Sequence, residues 1–211
     1  MFEVIVLGAT FLAAGIAQRY QKECLVIERR AKAGYEFFGT YGSEAHIYPC
    51  FKEAVTLFNT EIVSVTRTVS GFSCLTHGVS GYRCLEAKRV IDTRCTAQMS
   101  VSKSYNLLVE SDKAPEFIGT SYEKGEMEQH YILKCEVPLS CDFIQARRVA
   151  LNVIERFSEN QRLILTADEF DYRVKADYPK TENGILYLPS KAYETPTLAF
   201  AAGLEGKEAD K

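Results

Sequence analysis

The sequence lacks the features that mark membrane proteins and nucleic-acid-binding proteins. Its formal net charge is -3 with acids and bases mixed along the chain, so no basic face is available for a phosphate backbone. No apolar run approaches the roughly 18 to 20 residues that a membrane span requires. Met1 leads directly into an apolar segment, without a charged leader or a cleavage site. We therefore expect a cytoplasmic protein that binds neither nucleic acid nor membrane.

Cysteine pairs at metal or redox spacing are also missing. Seven cysteines stand singly, with no C-x-x-C pair and no histidine at ligand spacing: Cys24, Cys50, Cys74, Cys84, Cys95, Cys135 and Cys141. We expect most of them to be small buried apolar residues, and we predict no metal site. A redox-active pair is the alternative, but the sequence singles out no two cysteines. The sequence also contains no Ser/His/Asp set and no phosphate-binding lysine motif, so the catalytic residues stay unidentified.

The stretch that organises the chain is its first thirty residues. Among 211 residues, 46% are hydrophobic, which is enough for one large domain or for one domain with a small second lobe. An apolar run, Val4 to Leu7, turns at Gly8 into a helix-length segment rich in Ala and Leu, and a second apolar run ends at Glu28. Parallel strands this close in sequence need a crossover helix, so the pattern predicts a βαβ unit.

The turn of this unit carries the predicted chemistry. The first N–H groups of a helix that follows a strand directly have no backbone partner, and the helix dipole adds partial positive charge, so such a turn attracts phosphate. Glu28 follows at the spacing of about twenty residues at which dinucleotide folds bind a ribose hydroxyl. The sequence therefore predicts a ribose acceptor at Glu28 and a pyrophosphate seat formed by Gly8, Ala9, Thr10, Phe11, Leu12 and Ala13.

The glycine pattern of the turn is incomplete. Read as G-x-G-x-x-G/A, its positions fall on Gly8, Thr10 and Ala13. Thr10 stands where a second glycine lets the pyrophosphate approach the backbone, so its side chain either blocks that approach or replaces it with a hydroxyl contact. The alternative is an ordinary βαβ unit that binds nothing.

A glycine-punctuated loop with several aromatics follows Glu28. Arg29 or Arg30 in this loop is expected to pair with phosphate or to stack on a ring, while the alternative is that the aromatics simply cap the core. We predict a helix over residues 43–59, with Ser43 as its N-cap. From Glu61 to Asp92 the apolar period changes to two, which predicts a three-stranded β-meander whose last run rejoins a buried sheet.

Together these features resemble the FAD-dependent oxidoreductases of the glutathione-reductase-like class. The segment Ala87 to Thr93, AKRVIDT, is similar to the return strand A-K-x-V-I-D-A-T-G of that family, and residues 184–188 resemble its last strand. The resemblance covers residues 1–95 and 160–207. It implies an α/β, Rossmann-like FAD/NAD(P)-binding fold with a parallel central sheet and the antiparallel meander. Residues 1–95 and 160–211 would form the FAD/NAD(P)-binding domain, and residues 96–159 a small cap or substrate region.

The resemblance also implies a cofactor and its ligands. FAD is expected, with NAD(P) second, and the flavin ring would lie near residues 35–41 and the helix that begins at Thr195. The residues implied beyond the first turn are Thr93, Thr195 and Thr197. Three departures stand where the family touches FAD, namely Thr10, the Arg94-Cys95 pair after Thr93, and Pro189-Ser190 in place of Gly-Asp. A degenerate fold that serves as a binding or partner subunit is the competing hypothesis, and an NAD or nucleotide-sugar enzyme is a third.

The rest of the chain yields fewer predictions. A helix is expected from about Asp142 to Phe157, a polar connection over 168–184, and a final helix from Thr195-Pro196. His130 and Tyr131, with Glu126 and Glu128, form either an acid-base cluster or a solvated loop. The substrate is expected to be a small molecule of unidentified class. Exposed helices would allow a homo-oligomer, although no pattern specifies one.

Overall fold

The computed structural model describes residues 1–37, 47–115, 121–125, 127–158 and 163–206. The chain divides into two compact units. The first comprises Met1–Glu36, Glu44–Cys95 and Lys175–Lys211, and the second comprises Phe37–Ser43 and Thr96–Val174. The domain limits expected from the sequence, with a cap or substrate region at residues 96–159, remain a prediction.

Twelve strands and three α-helices are present in the described residues. In chain order they are β1 (Phe2–Leu7), α1 (Phe11–Tyr20), β2 (Cys24–Ile27), β3 (Val55–Leu57), β4 (Glu61–Thr68), β5 (Gly71–Gly78), β6 (Gly81–Asp92), β7 (Ser100–Glu110), β8 (Ser121–Lys124), β9 (His130–Val137), α2 (Phe143–Ser158), β10 (Ile164–Val174), β11 (Lys180–Glu182), β12 (Ile185–Tyr187) and α3 (Pro196–Glu205).

The first unit is built on a mostly parallel sheet. Its strand order is β11-β12-β6-β1-β2-β3, in which β12, β6, β1, β2 and β3 run parallel and β11 is antiparallel to β12. The residues Val4, Ile5 and Val6 of β1 are completely buried, as the central strand of a covered parallel sheet requires. The predicted βαβ unit is confirmed, because β1 and β2 pair in parallel across α1.

The β-meander is also confirmed. Strands β4, β5 and the first half of β6 pair antiparallel in sequence order, and the second half of β6 returns beside β1 in parallel register. The alternating side chains of the meander contribute Phe72, Cys74 and Ala87 to the core that also contains Ile5 and Leu7. The predicted α/β fold with a parallel sheet and an antiparallel meander is therefore correct.

Helices α1 and α3 pack closely through two glycines. A Cβ atom on Gly15 would lie 2.2 Å from the Phe200 carbonyl oxygen, and one on Gly203 would lie 2.3 Å from the Leu12 carbonyl oxygen. The two backbones therefore approach more closely than any side chain would allow. The N-cap predicted at Thr195 is confirmed, since its hydroxyl accepts a hydrogen bond from Leu198 N.

The helix predicted over residues 43–59 is wrong where the structure describes it. Residues 47–59 form a short 3-10 helix, Tyr48–Phe51, followed by β3, while the proposed N-cap Ser43 lies outside the described residues. The apolar spacing of Ile47, Phe51 and Val55 fits a helical period, but β3 is held by parallel pairing with β2. A long-range contact thus overrides the local pattern.

The second unit contains an antiparallel sheet of order β10-β7-β9-β8 and the helix α2. Residues Tyr105, Leu107 and Leu133 lie in its core with Ala146 and Ala150 of α2, which confirms the predicted helix. The polar connection predicted over residues 168–184 is wrong in its first half, because residues 168–174 belong to β10 and pair with β7.

Candidate functional site

The candidate site lies at the carboxyl ends of the parallel strands of the first unit. Strand β1 has β2 and β3 on one side and β6 and β12 on the other, so the chain changes direction across the sheet at β1. In open α/β sheets this switch point is where a crevice for ligands forms. The strand ends Leu7, Ile27 and Asp92 meet at this edge.

Gly8 makes the turn from β1 into α1. Its φ is +95°, a left-handed value that L side chains rarely adopt, and its N–H donates to the Ile27 carbonyl at 2.8 Å. A Cβ atom at this position would lie 2.7 Å from Cγ of Arg94. The position therefore requires glycine both for its backbone angle and for the passage of the arginine side chain.

Thr10 is the N-cap of α1 and not a ligand-facing hydroxyl. Its Oγ1 accepts from Ala13 N at 3.1 Å and donates to Oγ1 of Thr93 at 2.8 Å. The Thr93 hydroxyl donates in turn to the carbonyl oxygens of Leu7 and Gly8 at 3.0 and 3.2 Å. Both threonines are buried, so the structure uses the hydroxyl of Thr10 to fasten the turn to the end of β6.

Besides Ala13, three further amides of the turn donate to side-chain oxygens of the chain itself. Ala9 N donates to Oε2 of Glu28 at 2.9 Å, and Phe11 N donates to Oε1 of Glu36 at 2.6 Å. Leu12 N lies 3.4 Å from Oγ of Ser190, which is fully buried. Two of these acceptors are carboxylates, so the donors at the N-terminus of α1 already bind oxyanions. The donor set therefore fits the oxygens of a phosphate, which belong to the same chemical class.

Glu36 is held in an environment that disfavours its charge. Burial raises the pKa of this carboxyl to about 7, although hydrogen bonds from Phe11 N, from its own backbone and from Ser190, together with the positive charge of Lys191, act in the opposite direction. A carboxyl with this pKa changes its protonation state near neutral pH.

Glu28 follows the last residue of β2 directly and faces the turn. Besides Ala9 N, it accepts from Arg30 N through Oε1 at 2.8 Å. The guanidinium of Arg30 lies over the Tyr35 ring, 4.3 Å from its centroid. Arg29 is exposed. Each oxygen of Glu28 accepts one of these bonds and keeps a further lone pair for a ligand hydroxyl.

A cavity lies next to the turn on the side of the meander. It has a volume of about 340 Å³, its apolar wall includes Leu7, Phe72 and Ile185, and polar groups of Arg67 and Arg94 line it as well. Arg94 is bound to Asp92 through Nε at 2.9 Å and through Nη2 at 2.7 Å. The carboxyl edge of the sheet thus offers a partly open cavity as well as amide donors.

The structure groups most of the predicted site residues at one turn. Gly8 to Ala13, Glu28 and Thr93 come together there, and Arg30 reaches it through its N–H. Thr195 and Thr197 lie at the start of α3 and are exposed, and the hydrogen bond that Thr195 Oγ1 accepts comes from its own helix. Pro189-Ser190, which replaces Gly-Asp, brings the Ser190 hydroxyl to Leu12 N.

Sequence reasoning missed the parts that Glu36 and Ser190 play. Glu36 lies among aromatic residues of a loop with no helical or strand period, and Ser190 reaches α1 across 178 positions of sequence. A single carboxylate among aromatics, in the loop that follows the β1-α1-β2 unit, was the only available signal. The described residues contain no group of three His, Cys, Asp or Glu side chains that could hold a metal ion. No helix among them is long and apolar enough to cross a membrane.

Comparison with known proteins identifies the fold. No protein-family model matches the sequence, and no curated protein matches it either. Among solved structures, the chain is similar to an aklavinone-11 hydroxylase in a ternary complex with FAD and aklavinone, with a TM-score of 0.63 and 11% identity over 96% of this chain and 60% of that one.

Two further structures show the same likeness. A glycerol-3-phosphate dehydrogenase from Bacillus halodurans complexed with FAD has a TM-score of 0.61 and 12% identity over 99% of this chain and 64% of that one. A geranylgeranyl bacteriochlorophyll reductase-like protein from Thermoplasma acidophilum has a TM-score of 0.60 and 12% identity over 99% of this chain and 79% of that one.

The likeness confirms the α/β, Rossmann-like fold that the resemblance implied. The chain spans about 60% of the length of the first of these neighbours. At identities of 11 to 12% the comparison establishes the fold alone.

Proposed function

We propose that the chain binds FAD and belongs to a flavoprotein oxidoreductase that acts on a small molecule. The observation that carries the proposal is the turn at Gly8, where amides at the switch point of the sheet already bind the carboxylates of Glu28 and Glu36. Two of the structural neighbours are described as complexes with FAD, which supports this cofactor over NAD(P).

The proposed diphosphate seat is the N-terminus of α1. Phe11 N and Leu12 N are held by side-chain oxygens, which a ligand can replace without breaking the backbone hydrogen bonds of the helix. Arg94 lies against Gly8, with its guanidinium paired to the buried carboxylate of Asp92. These residues would hold the diphosphate by amide hydrogen bonds and by the helix dipole.

The proposed ribose acceptor is Glu28. Its carboxylate is fixed by Ala9 N and Arg30 N, so it is oriented before a ligand arrives. Arg29 is an exposed cation of the same loop. For the flavin end of the cofactor, we propose that the N-terminus of α3 points toward the flavin. Its N-cap Thr195 and its first-turn residue Thr197 lie at that end of the helix.

Bound flavin would supply the hydride or electron transfer, so the protein needs few catalytic side chains of its own. The residues above bind and orient the cofactor. Residues 96–159 are proposed as the substrate or cap region. A cytoplasmic location belongs to the same proposal, and it is supported by the seven cysteines, all of which are free thiols.

Purification tests the cofactor directly. A yellow protein that absorbs near ~450 nm and releases one flavin per chain on denaturation is expected. Colourless protein should be titrated with FAD, riboflavin and NADPH, and FAD should raise its unfolding temperature the most. Protein that neither contains nor binds FAD would favour the degenerate fold that serves as a partner subunit, and stabilisation by NADPH alone would favour a nicotinamide enzyme.

Glu28→Gln tests whether FAD binds at the turn. The variant removes the carboxylate that faces the ribose and should weaken FAD binding at least severalfold. Glu86→Gln is the matched control, because it removes one exposed carboxylate of the meander and should leave the affinity unchanged. Equal affinities of the two variants would contradict the proposed site.

A further inference from the structure

We infer that Glu36 is a built-in occupant of the diphosphate seat, and that a diphosphate binds there only when this carboxyl is neutral, so that affinity falls as the pH rises. The inference rests on the proposed FAD function and adds a regulation of the same site.

The geometry places the carboxylate where a phosphate oxygen would bind. Glu36 Oε1 accepts from Phe11 N at 2.6 Å, in the first turn of α1. The hydroxyl of Ser190 contributes a second hydrogen bond to the same carboxyl. Helix N-termini bind anions through amides such as Phe11 N and through the helix dipole. Glu36 and a diphosphate oxygen therefore compete for one donor.

The backbone keeps Glu36 beside the seat. Gly34 N donates to the Ala9 carbonyl at 2.9 Å, and Ala33 N donates to the hydroxyl of Tyr48 at 3.1 Å. Since Glu36 follows Gly34 by two positions, a side-chain rotation can release Phe11 N but leaves the carboxyl close to the turn. A bound diphosphate would then face a second anion at short range, which disfavours the ionised form of Glu36.

The charged groups around Glu36 do not remove this conflict. The first turn of α1 carries no acidic residue, and Lys191 is the cation whose field acts on the carboxyl from the short helix Ser190–Ala192. Glu28 is bound to Ala9 N, and Arg94 is paired with Asp92. Burial outweighs the influence of Lys191 and raises the pKa of Glu36 to about 7. The change in protonation of Glu36 that decides this competition therefore falls within the physiological range of pH.

Proton linkage gives the expected result. If the diphosphate complex requires neutral Glu36, binding takes up one proton above pH 7, and the Kd rises about tenfold per pH unit. Glu36→Gln keeps the size of the side chain and an acceptor oxygen for Phe11 N but cannot ionise. Its Kd should be independent of pH and at least tenfold lower than that of the wild type at pH 8.5.

The experiment compares the wild type, Glu36→Gln and the control Glu86→Gln between pH 6 and 9. FAD binding is followed by the change in flavin fluorescence, and ADP-ribose serves as a flavin-free diphosphate whose phosphates do not titrate in this range. The control should reproduce the rise of Kd seen for the wild type. A second measurement uses the wild type alone, whose proton uptake on binding FAD at pH 8 is obtained by calorimetry in two buffers of different ionisation enthalpy.

The outcomes separate this inference from the proposed function. FAD binding with the same pH dependence in the wild type and in Glu36→Gln, or no proton uptake by the wild type, overturns the role of Glu36 and leaves the flavin site standing. Absence of binding by all three proteins at every pH overturns the proposed function and the inference with it. A flat and tighter Glu36→Gln profile supports both.

Discussion

The two units of the chain treat their buried polar groups differently. In the first unit, the amides of Ala9 and Phe11 donate to carboxylates that come from other segments, at an edge of the sheet beside a cavity. In the second unit, the fully buried Tyr105 donates to Asp168 at 2.6 Å, and Lys103 donates to the Cys141 carbonyl while its ammonium lies 3.7 Å from the centroid of Phe170.

The difference lies in what a ligand could replace. Backbone amides at a helix N-terminus keep their position when an acceptor side chain leaves, so Glu36 can be exchanged for another oxyanion. Tyr105 has no such freedom, because its ring packs against Phe143 and Phe170 and its hydroxyl is committed to Asp168. Ligand binding is therefore expected at the first group, and the second is expected to serve stability.

Gly8→Ala should have the largest effect. The new Cβ meets Arg94 Cγ at 2.7 Å, and the residue must keep a φ of +95°. We expect the free energy of unfolding to fall by about 2 to 4 kcal/mol from strain and overpacking, and FAD affinity to fall at least tenfold. Urea denaturation and flavin titration measure the two effects.

Gly81→Ala is the control for the cost of placing alanine at a positive φ without a steric clash. Gly81 has a φ of +86° with no atom within 4 Å of the added Cβ. The variant should lose only about 1 to 2 kcal/mol of stability and keep its FAD affinity. If both variants bound FAD equally, the turn at Gly8 would not be the site.

Glu36→Gln should change how stability depends on pH in the absence of ligand. The pKa of Glu36 is raised from 4.5 to about 7 in the folded state, so the folded protein holds the proton more tightly than the unfolded chain does. The wild type should therefore lose stability as the pH rises from about 4.5 to 7, by at most about 3 kcal/mol. The variant should lack this loss, and urea denaturation at pH 5, 6, 7 and 8 measures it. Parallel profiles for the two proteins would show that burial does not act on this carboxyl.

Local patterns in the sequence were sufficient to predict the elements whose apolar spacing matches their own secondary structure. The β1-α1-β2 crossover, the meander and the N-cap at Thr195 were predictable from apolar spacing and turn residues. Strands β3 and β10 were missed because long-range pairing decides them. Val55 and Thr56 pair with β2, and the polar residues Glu169 and Asp171 pair with β7.

The site was predictable only in part, for the same reason. The turn from Gly8 to Ala13 and the acid at Glu28 follow from sequence spacing. The fastening of Thr10 to Thr93 spans 83 positions, and the contact of Ser190 with Leu12 spans 178. Such contacts exist only after the strands are ordered in the sheet, so no local pattern reveals them.

Tyr105→Phe should lower stability without changing FAD binding. The hydroxyl lost is fully buried, while Asp168 keeps Arg147 at 3.8 Å, so the expected loss is about 1 to 2 kcal/mol. Tyr122→Phe, at a tyrosine of the same unit that is 44% exposed, should change stability by less than about 0.5 kcal/mol. A weaker FAD affinity in Tyr105→Phe alone would contradict the contrast between the two units, because it would assign a ligand-linked role to the second.

Substitutions at the start of α3 should give the smallest effects and decide whether this helix belongs to the site. Thr195→Ala removes the acceptor for Leu198 N and should cost about 1 kcal/mol of stability, which Thr195→Ser should restore. Thr197 is exposed and makes no cap, so Thr197→Ala should leave stability within about 0.5 kcal/mol of the wild type. If its hydroxyl binds the cofactor, FAD affinity should nevertheless fall severalfold, because one hydrogen bond is lost. Unchanged affinity in both alanine variants would confine the site to the α1 turn, since a helix whose first-turn hydroxyls are both dispensable cannot be holding the flavin through them.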